Sequence, residues 1–391
     1  MDAAKLREWA WHCQGLDGTL DGCEPAMVLT QAGWARSVGG ASPYLTLWSR
    51  ADIDRAGADA AVTALEIHEL PSVRGCTYVL PAADFPLGLQ LTRPAAQANL
   101  AVVEKLGVGQ AEIEQLGHAV VEALSEAAEP LDPHQLKVLL GNRVRNLGEE
   151  GKKKGVSTTL PTALTQLQAF GQIRRVPLDG RLDQQRYAYC VWESAPTGIT
   201  DGAARVELLR RYFDWTGGAT VAQSRWFSAF TVAQTTAAIA ELELTDVGDG
   251  LLVPAEKLPD FQSFELAAEP QYRLLAGIDA LVLLRRNSSE LLEPQDAQRV
   301  VPSDQAGIGA QDLPDHPIVD RGRIVGLWQF DPDAGDIAAW VFAGQPDEAL
   351  RAEIDRTARW VADDLGDFRS FSLDSGKARR PRIDALRALS A

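Results

Sequence analysis

The sequence predicts an α+β fold in which three tandem winged-helix domains are followed by a small β-rich C-terminal domain. Three observations predict it. A helix, helix, hairpin order recurs along the chain before residue 270, and this is the winged-helix variant of helix-turn-helix. From Tyr272 the pattern changes to alternating or continuous apolar runs around Gly, Asp and Asn turns, as short strands require. One of the three units, Asp132 to Glu193, is basic within an acidic chain: ten Lys and Arg against six Asp and Glu make it +4, whereas the 391-residue chain carries -16. The expected domains are residues 1–130, 131–196, 197–268 and 269–391.

In the first domain, Leu6, Trp9, Ala10 and Cys13 recur at helical spacing and Gly15 is a natural stop. Further helices fit Glu24 to Arg36, Pro43 to Ser49 and Asp59 to His68. The stretch from Arg74 to Pro81 has the Thr, Tyr and Val of a strand ended by proline. Helices at Pro94 to Leu106 and Gln110 to Ala127 lead to Pro130 and Pro133, which mark the next boundary. In the basic domain a helix at His134 to Leu140 is followed by a second at Pro161 to Phe170, with Thr158 or Thr159 as its N-cap. Strands at Gln172 to Pro177 and Arg186 to Trp192 then flank the Asp179-Gly180 turn. That hairpin is the expected wing.

The third unit repeats the plan with helices at Ala203 to Trp215, Val221 to Phe227 and Thr231 to Leu242, and a hairpin from Asp246 to Pro254. Its last helix has no basic residue, so a packing scaffold is an equal alternative to a DNA contact. The C-terminal domain is expected to contain strands in LLAGIDALVLLRRN, HPIVDRGRIVGLWQFD and DIAAWVFAG, then a helix at Glu348 to Leu365. An acidic segment from Pro294 to Pro317 joins it to its neighbours. The basic run Lys377 to Arg382 reads as a solvated end, with phosphate contact as the alternative.

Composition narrows the class. Apolar content of 46% and charged content of 24% are those of a globular protein. No stretch approaches the roughly 20 apolar residues of a membrane span, and the N-terminus has no signal-peptide pattern, so a cytoplasmic protein is expected. Four scattered cysteines without CxxC spacing point to neither a disulfide framework nor a zinc site, and no metal or cofactor is expected. There is no P-loop, GxGxxG after a strand, GxSxG elbow or HExxH. The positive field of the middle unit instead suits phosphates, with Lys152, Lys153 and Lys154 in the connection and Arg174 and Arg175 at the base of the wing as candidate backbone contacts. A solvated charge run is the alternative.

Four segments carry a resemblance: Leu29 to Val38 with Pro43 to Arg50, Val73 to Phe85, Leu274 to Asn287, and His316 to Gln329. In this order they resemble the AlkZ-like (YcaQ-related) superfamily of winged-helix DNA glycosylases. The resemblance implies three winged helices forming a concave surface with a β-rich domain against them. It also implies double-stranded DNA, alkylated or crosslinked, as the partner, with no obligate protein partner. Family members excise alkylated purines or unhook crosslinks, placing the hydrolytic water with a Gln-apolar-Gln or Gln-apolar-Asp motif. Here the motif reads Gln31-Ala32-Gly33, with the second polar residue replaced, and the family's Arg-Gly-Thr-x-His segment reads Arg74-Gly75-Cys76-Thr77-Tyr78.

Cleavage of the N-glycosidic bond at a cationic purine needs a stabilised oxocarbenium-like sugar and a directed water. A carboxamide orients water but is a weak base, so Gln31 is the first catalytic candidate and Glu66 and Glu69, just ahead of Arg74, are its candidate carboxylate helpers. Capping a helix or binding Arg74 is the structural alternative for both. Arg36, Arg74 and Tyr78 are DNA-binding candidates beside them. Trp34, Tyr44 and Trp48 suit base stacking or core packing, and His68 suits proton transfer or a structural hydrogen bond. Two functions stay open: a monofunctional DNA glycosylase, and a winged-helix DNA-binding protein that has lost base excision. A protein-interaction module is a third.

Overall fold

Capping and backbone chemistry decide where the elements begin and end in the computed structural model, which describes residues 2–184, 186–194, 198–285, 287–297, 299, 313 and 315–390. Helix α1 (Ala3–Cys13) starts where Asp2 accepts a hydrogen bond from the Ala4 N–H. Helix α2 (Pro25–Ala32) stops before Gly33, whose φ of +101° suits only glycine, so Ala35–Arg36 form strand β1 where the sequence predicts continued helix. Helix α3 (Ser42–Ala51) follows. Asp54 caps α4 (Arg55–Thr63) through the Gly57 N–H, four residues earlier than expected, and Leu65 adopts a left-handed φ of 58° that ends it. Ile67–Pro71 is therefore strand β2 rather than helix. With β3 (Thr77–Pro81) it makes a three-stranded antiparallel sheet in the order β1-β3-β2.

Helix α5 (Phe85–Glu104) begins nine residues before Pro94, which lies inside it. It runs on to α6 (Gln110–Glu126), α7 (Pro133–Leu140), α8 (Gly148–Lys153) and α9 (Leu160–Ala169). Thr159 precedes α9 but caps nothing: its hydroxyl accepts from the Arg145 N–H instead, at 3.0 Å. Strands β4 (Ile173–Pro177) and β5 (Tyr187–Val191) pair as the expected hairpin. Next come α10 (Asp201–Thr216), β6 (Ala219–Thr220), α11 (Val221–Ser228), α12 (Val232–Ile239), β7 (Leu244–Asp246), β8 (Leu251–Pro254) and α13 (Leu258–Ser263). Capping boxes at Thr220 and Thr231 open α11 and α12.

The last part departs most from expectation. In LLAGIDALVLLRRN only the first residue, Leu274, joins a strand, β9 (Tyr272–Leu274). Asp279 then accepts from the Leu281 N–H at 2.9 Å and caps the short helix α14 (Ala280–Leu283), so a local cap overrides the apolar strand pattern. Helix α15 (Pro294–Ala297) opens the connecting segment, of which residues 298, 300–312 and 314 lie outside the described residues. Strands β10 (His316–Asp320), β11 (Arg323–Asp331) and β12 (Asp336–Val341) complete an antiparallel sheet in the order β12-β11-β10-β9. Helices α16 (Glu348–Trp360) and α17 (Gly376–Ser390) cover it. The basic run Lys377 to Arg382 is thus no solvated end. Arg379 is fully buried against the Asp367 carboxylate at 2.7 and 2.8 Å, Arg380 pairs with Asp331 at 2.8 Å, and Arg382 with Asp315 at 2.7 Å.

The cores cross the expected domain limits. One contains Leu29, Tyr44 and Leu45 from the N-terminal region with Ile318, Trp328, Phe330 and Phe368 from the C-terminal one. A second joins Trp34, Tyr78 and Leu80 to Tyr212, Trp215 and Phe227. A third belongs to α5, α6, α7, α9 and the β4–β5 hairpin, around Leu116, Leu136, Leu164 and Ile173. Between the first two lies a fully buried ion pair. Arg50 on α3 donates through both terminal nitrogens to Asp279, at 2.9 and 2.8 Å, and this fixes the start of α14 against α3.

Candidate nucleic-acid interface

A cleft of about 770 Å3 opens where the β1-β3-β2 sheet, α11 and the C-terminal region meet. Each of its charged walls has a local cause. Arg36 on β1 faces Tyr78 across the antiparallel register, donates to the Thr77 carbonyl at 2.7 Å and lays its guanidinium 5.3 Å from the Tyr78 ring centre. Arg74 sits at φ +60° and is followed by Gly75 at +67°, where a Cβ would come within 2.9 Å of Ala95. These two left-handed residues turn the chain so that Arg74 lies 5.1 Å from the Trp226 ring centre on α11. Arg285, just past α14, is held 3.4 Å from Glu290. Arg382 comes from α17.

The far wall holds Asp315 and His316. A single oxygen of Asp315, Oδ1, accepts from Gln329 at 2.9 Å and from Arg382 at 2.8 Å. Burial pushes this carboxyl above the usual carboxylate range, against the opposing pull of Arg382. The Gly277 N–H donates to His316 Nδ1 at 3.0 Å, so Nε2 carries the proton and donates to the Ser370 hydroxyl at 3.1 Å. Burial, aided by Arg382 and Arg379, pushes the imidazole down to about 3, so it is neutral and cannot take a proton from Ser370. Among the described residues, four guanidiniums and one carboxylate line the cleft, beside the aromatic rings of Tyr78, Trp226 and Phe371. This arrangement suits phosphates at the rim and a flat apolar group inside.

The residues singled out from sequence distribute unevenly around it. Arg36, Arg74 and Tyr78 meet in the cleft. The Tyr78 hydroxyl, pushed up to about 12 chiefly by burial, stays protonated. Gln31, Glu66 and Glu69 are not among the described residues that line it. Gln31 and Glu66 are exposed, on the end of α2 and just before β2. Glu69 is buried: it accepts from the Ser37 hydroxyl and from Tyr187 at 3.3 Å, with Arg175 at 3.9 Å. These contacts fasten the first sheet to the β4–β5 hairpin. At Gly33 a Cβ would meet Trp215, Ala280 and Leu284 at 3.4 to 3.6 Å, so the second motif position faces packed side chains.

The basic unit behaves differently from the expected wing. Lys152, Lys153 and Lys154 are exposed, with Lys152 2.6 Å from Glu149, and Arg174 is half-buried. None of them lines the cleft. The hairpin loop is anchored on one side: Leu178 to Gly180 are exposed, but Leu182 is 1% exposed and its N–H donates to the Tyr44 hydroxyl at 2.9 Å. Arg181 reaches the Leu365 carbonyl and Arg369 the Asp183 carbonyl, so the loop clasps both ends of the chain. Trp34, Tyr44 and Trp48 are packing residues; Trp34 donates to Asp84 at 2.7 Å and Trp48 stacks on Trp360 at 4.9 Å. His68 is buried between Phe85 and Trp192 and pushed down to about 3, which makes it neutral. Sequence reasoning missed Arg285, Asp315, Trp226 and Phe371. The Arg285 position was marked only by a charge ending the apolar run of Leu281 to Leu284.

A family model for AlkZ-like DNA glycosylases matches residues 25–360 of the chain. The chain belongs to the AlkZ-like DNA glycosylase family. This AlkZ-like chain also superposes on the structure of the Streptomyces sahachiroi DNA glycosylase AlkZ with a TM-score of 0.69, covering 94% of this chain and 98% of that one. At 17% identity that likeness speaks for the mixed α/β fold. No curated protein matches the AlkZ-like sequence. Membership supports DNA binding and a repair-related role with DNA as the partner, and among the described residues no helix is long and apolar enough to cross a membrane.

Proposed function

We propose that the three helix-rich units are winged helices forming a cradle, and that the cleft is where this cradle engages duplex DNA carrying an alkylated or crosslinked base. The observation that carries the reading is the convergence of Arg36, Arg74, Arg285 and Arg382 on one aromatic-walled cleft in a chain of net charge -16. An acidic chain repels phosphate over most of its surface, so a concentrated basic cleft gives DNA a favoured approach. Replacing both Arg36 and Arg74 by alanine should weaken duplex binding at least tenfold and lower the salt slope by about 2, one unit for each lost phosphate contact. Fluorescence anisotropy over a salt series checks this. An unchanged slope overturns it.

Gln31 and Glu66 lie outside the cleft lining, so excision requires the damaged nucleotide to reach the exposed end of α2, where Gln31 orients the water and Glu66 is the candidate carboxylate left to help. Burial commits Glu69 to the sheet–hairpin contact. Gly33 favours a second reading, damage binding without excision, because its site offers no second polar side chain and is backed by Trp215. Release of N7-methylguanine from methylated duplex DNA separates the two. Excision predicts base release by the native chain that falls at least tenfold in Gln31→Ala, a loss of about 1.4 kcal/mol in transition-state stabilisation. Binding alone predicts none from either.

A further inference from the structure

Beside the cleft mouth the chain turns through Ser370, Phe371, Ser372 and Leu373 and leaves two apolar side chains uncovered: Leu373 is 84% exposed and Phe371 45%. Phe371 lines the cleft itself. Isolated apolar residues on a surface need no explanation, but these two sit on a backbone that is clamped from every side. The Ser370 N–H donates to Asp374 at 2.9 Å and the Asp374 N–H to the Phe371 carbonyl at 3.0 Å, which closes the turn on itself. Fully buried Arg379 donates to the Phe368 carbonyl at 2.6 Å and grips Asp367. The Ser372 N–H reaches the Val38 carbonyl at 3.2 Å and the Ala41 N–H the Arg369 carbonyl at 2.9 Å. Gly40 permits that approach, since a Cβ there would stand 2.4 Å from the Arg369 oxygen.

A turn fixed in this way holds its leucine side chain outward. The neighbouring groups identify what it is held out toward. Four arginines and the faces of Tyr78 and Trp226 share the cleft with Phe371, a mixture that complements a phosphate backbone and a planar base together. We propose that Phe371 and Leu373 form a wedge that enters the base stack of duplex DNA while an unstacked base turns into the cleft; this rests on the cleft being the DNA site. Rigid apolar side chains are suited to the task because they replace lost stacking area at little cost in their own entropy. The arginines hold the flanking phosphates, and the wedge opens the step between them.

The test uses the full chain and a duplex with 2-aminopurine beside a single N7-methylguanine, compared with Phe371→Ala/Leu373→Ala. The native chain should raise 2-aminopurine fluorescence several-fold on binding. The double variant should lose that rise while its affinity falls by less than about tenfold, because the phosphate contacts are untouched. Unchanged melting and circular dichroism of the variant show that the exposed turn has not been unfolded. A native chain that binds without the rise, or a variant that keeps it, overturns the wedge and leaves the cleft reading intact. A native chain that does not bind the duplex overturns both, and points to a protein covering the turn instead.

Discussion

Glu69 shows how one side chain can look catalytic in sequence and be structural in space. It stands five residues before Arg74, where a carboxylate helper would be convenient, yet β2 is buried on both faces and packs it against Ser37, Tyr187 and Arg175. A strand buried on both faces is what the sequence hid, because a helix was expected through His68. Glu69→Ala should cost about 3 kcal/mol in chemical denaturation, since it leaves Arg175 facing a buried site without its carboxylate. Arg36 and Arg74 were singled out for their charge, but their placement was not legible: the sequence puts the first in a helix and the second in a strand, whereas Gly33 ends α2 ahead of β1 and the left-handed Arg74-Gly75 pair turns the chain before β3.

At the scale of elements the β4–β5 hairpin and α17 carry the main lessons. The hairpin was readable from its Asp-Gly turn, but the anchoring of its loop was not, because nothing local distinguishes a free wing from one whose loop is docked on one side. The apolar Leu182 within a polar loop was the available signal. Leu182→Ala should destabilise by about 3 kcal/mol through the cavity it leaves, and should open residues 178–186 to proteolysis before the rest of the chain. In α17, Arg380 and then Arg387 hold the Asp331 carboxyl well below the usual carboxylate range. A depressed folded value means that the ion pairs contribute stability above the ordinary carboxylate value, and that this is lost as pH falls through the folded one. Thermal melts of Asp331→Asn should therefore converge on those of the native chain as the pH is lowered below about 4, where the unfolded carboxyl itself takes up its proton.

For the whole molecule, sequence order revealed the helical units and the strand-rich end, while the cleft was invisible because its walls come from residues 36 to 382. Only folding brings Arg74 onto Trp226 and places Arg382 across from Arg36. The shared core of Leu29, Tyr44, Trp328 and Phe368 is what makes that possible, as it locks the two ends of the chain together. The strongest sequence signal, the basic stretch of Lys152 to Lys154, lies apart from that cleft, so the two surfaces make competing claims on DNA. Hydrogen–deuterium exchange with and without duplex DNA decides between them. The account predicts slowed exchange at residues 73–78, 276–285 and 368–373; slowing confined to residues 148–158, with the cleft unchanged, would contradict it.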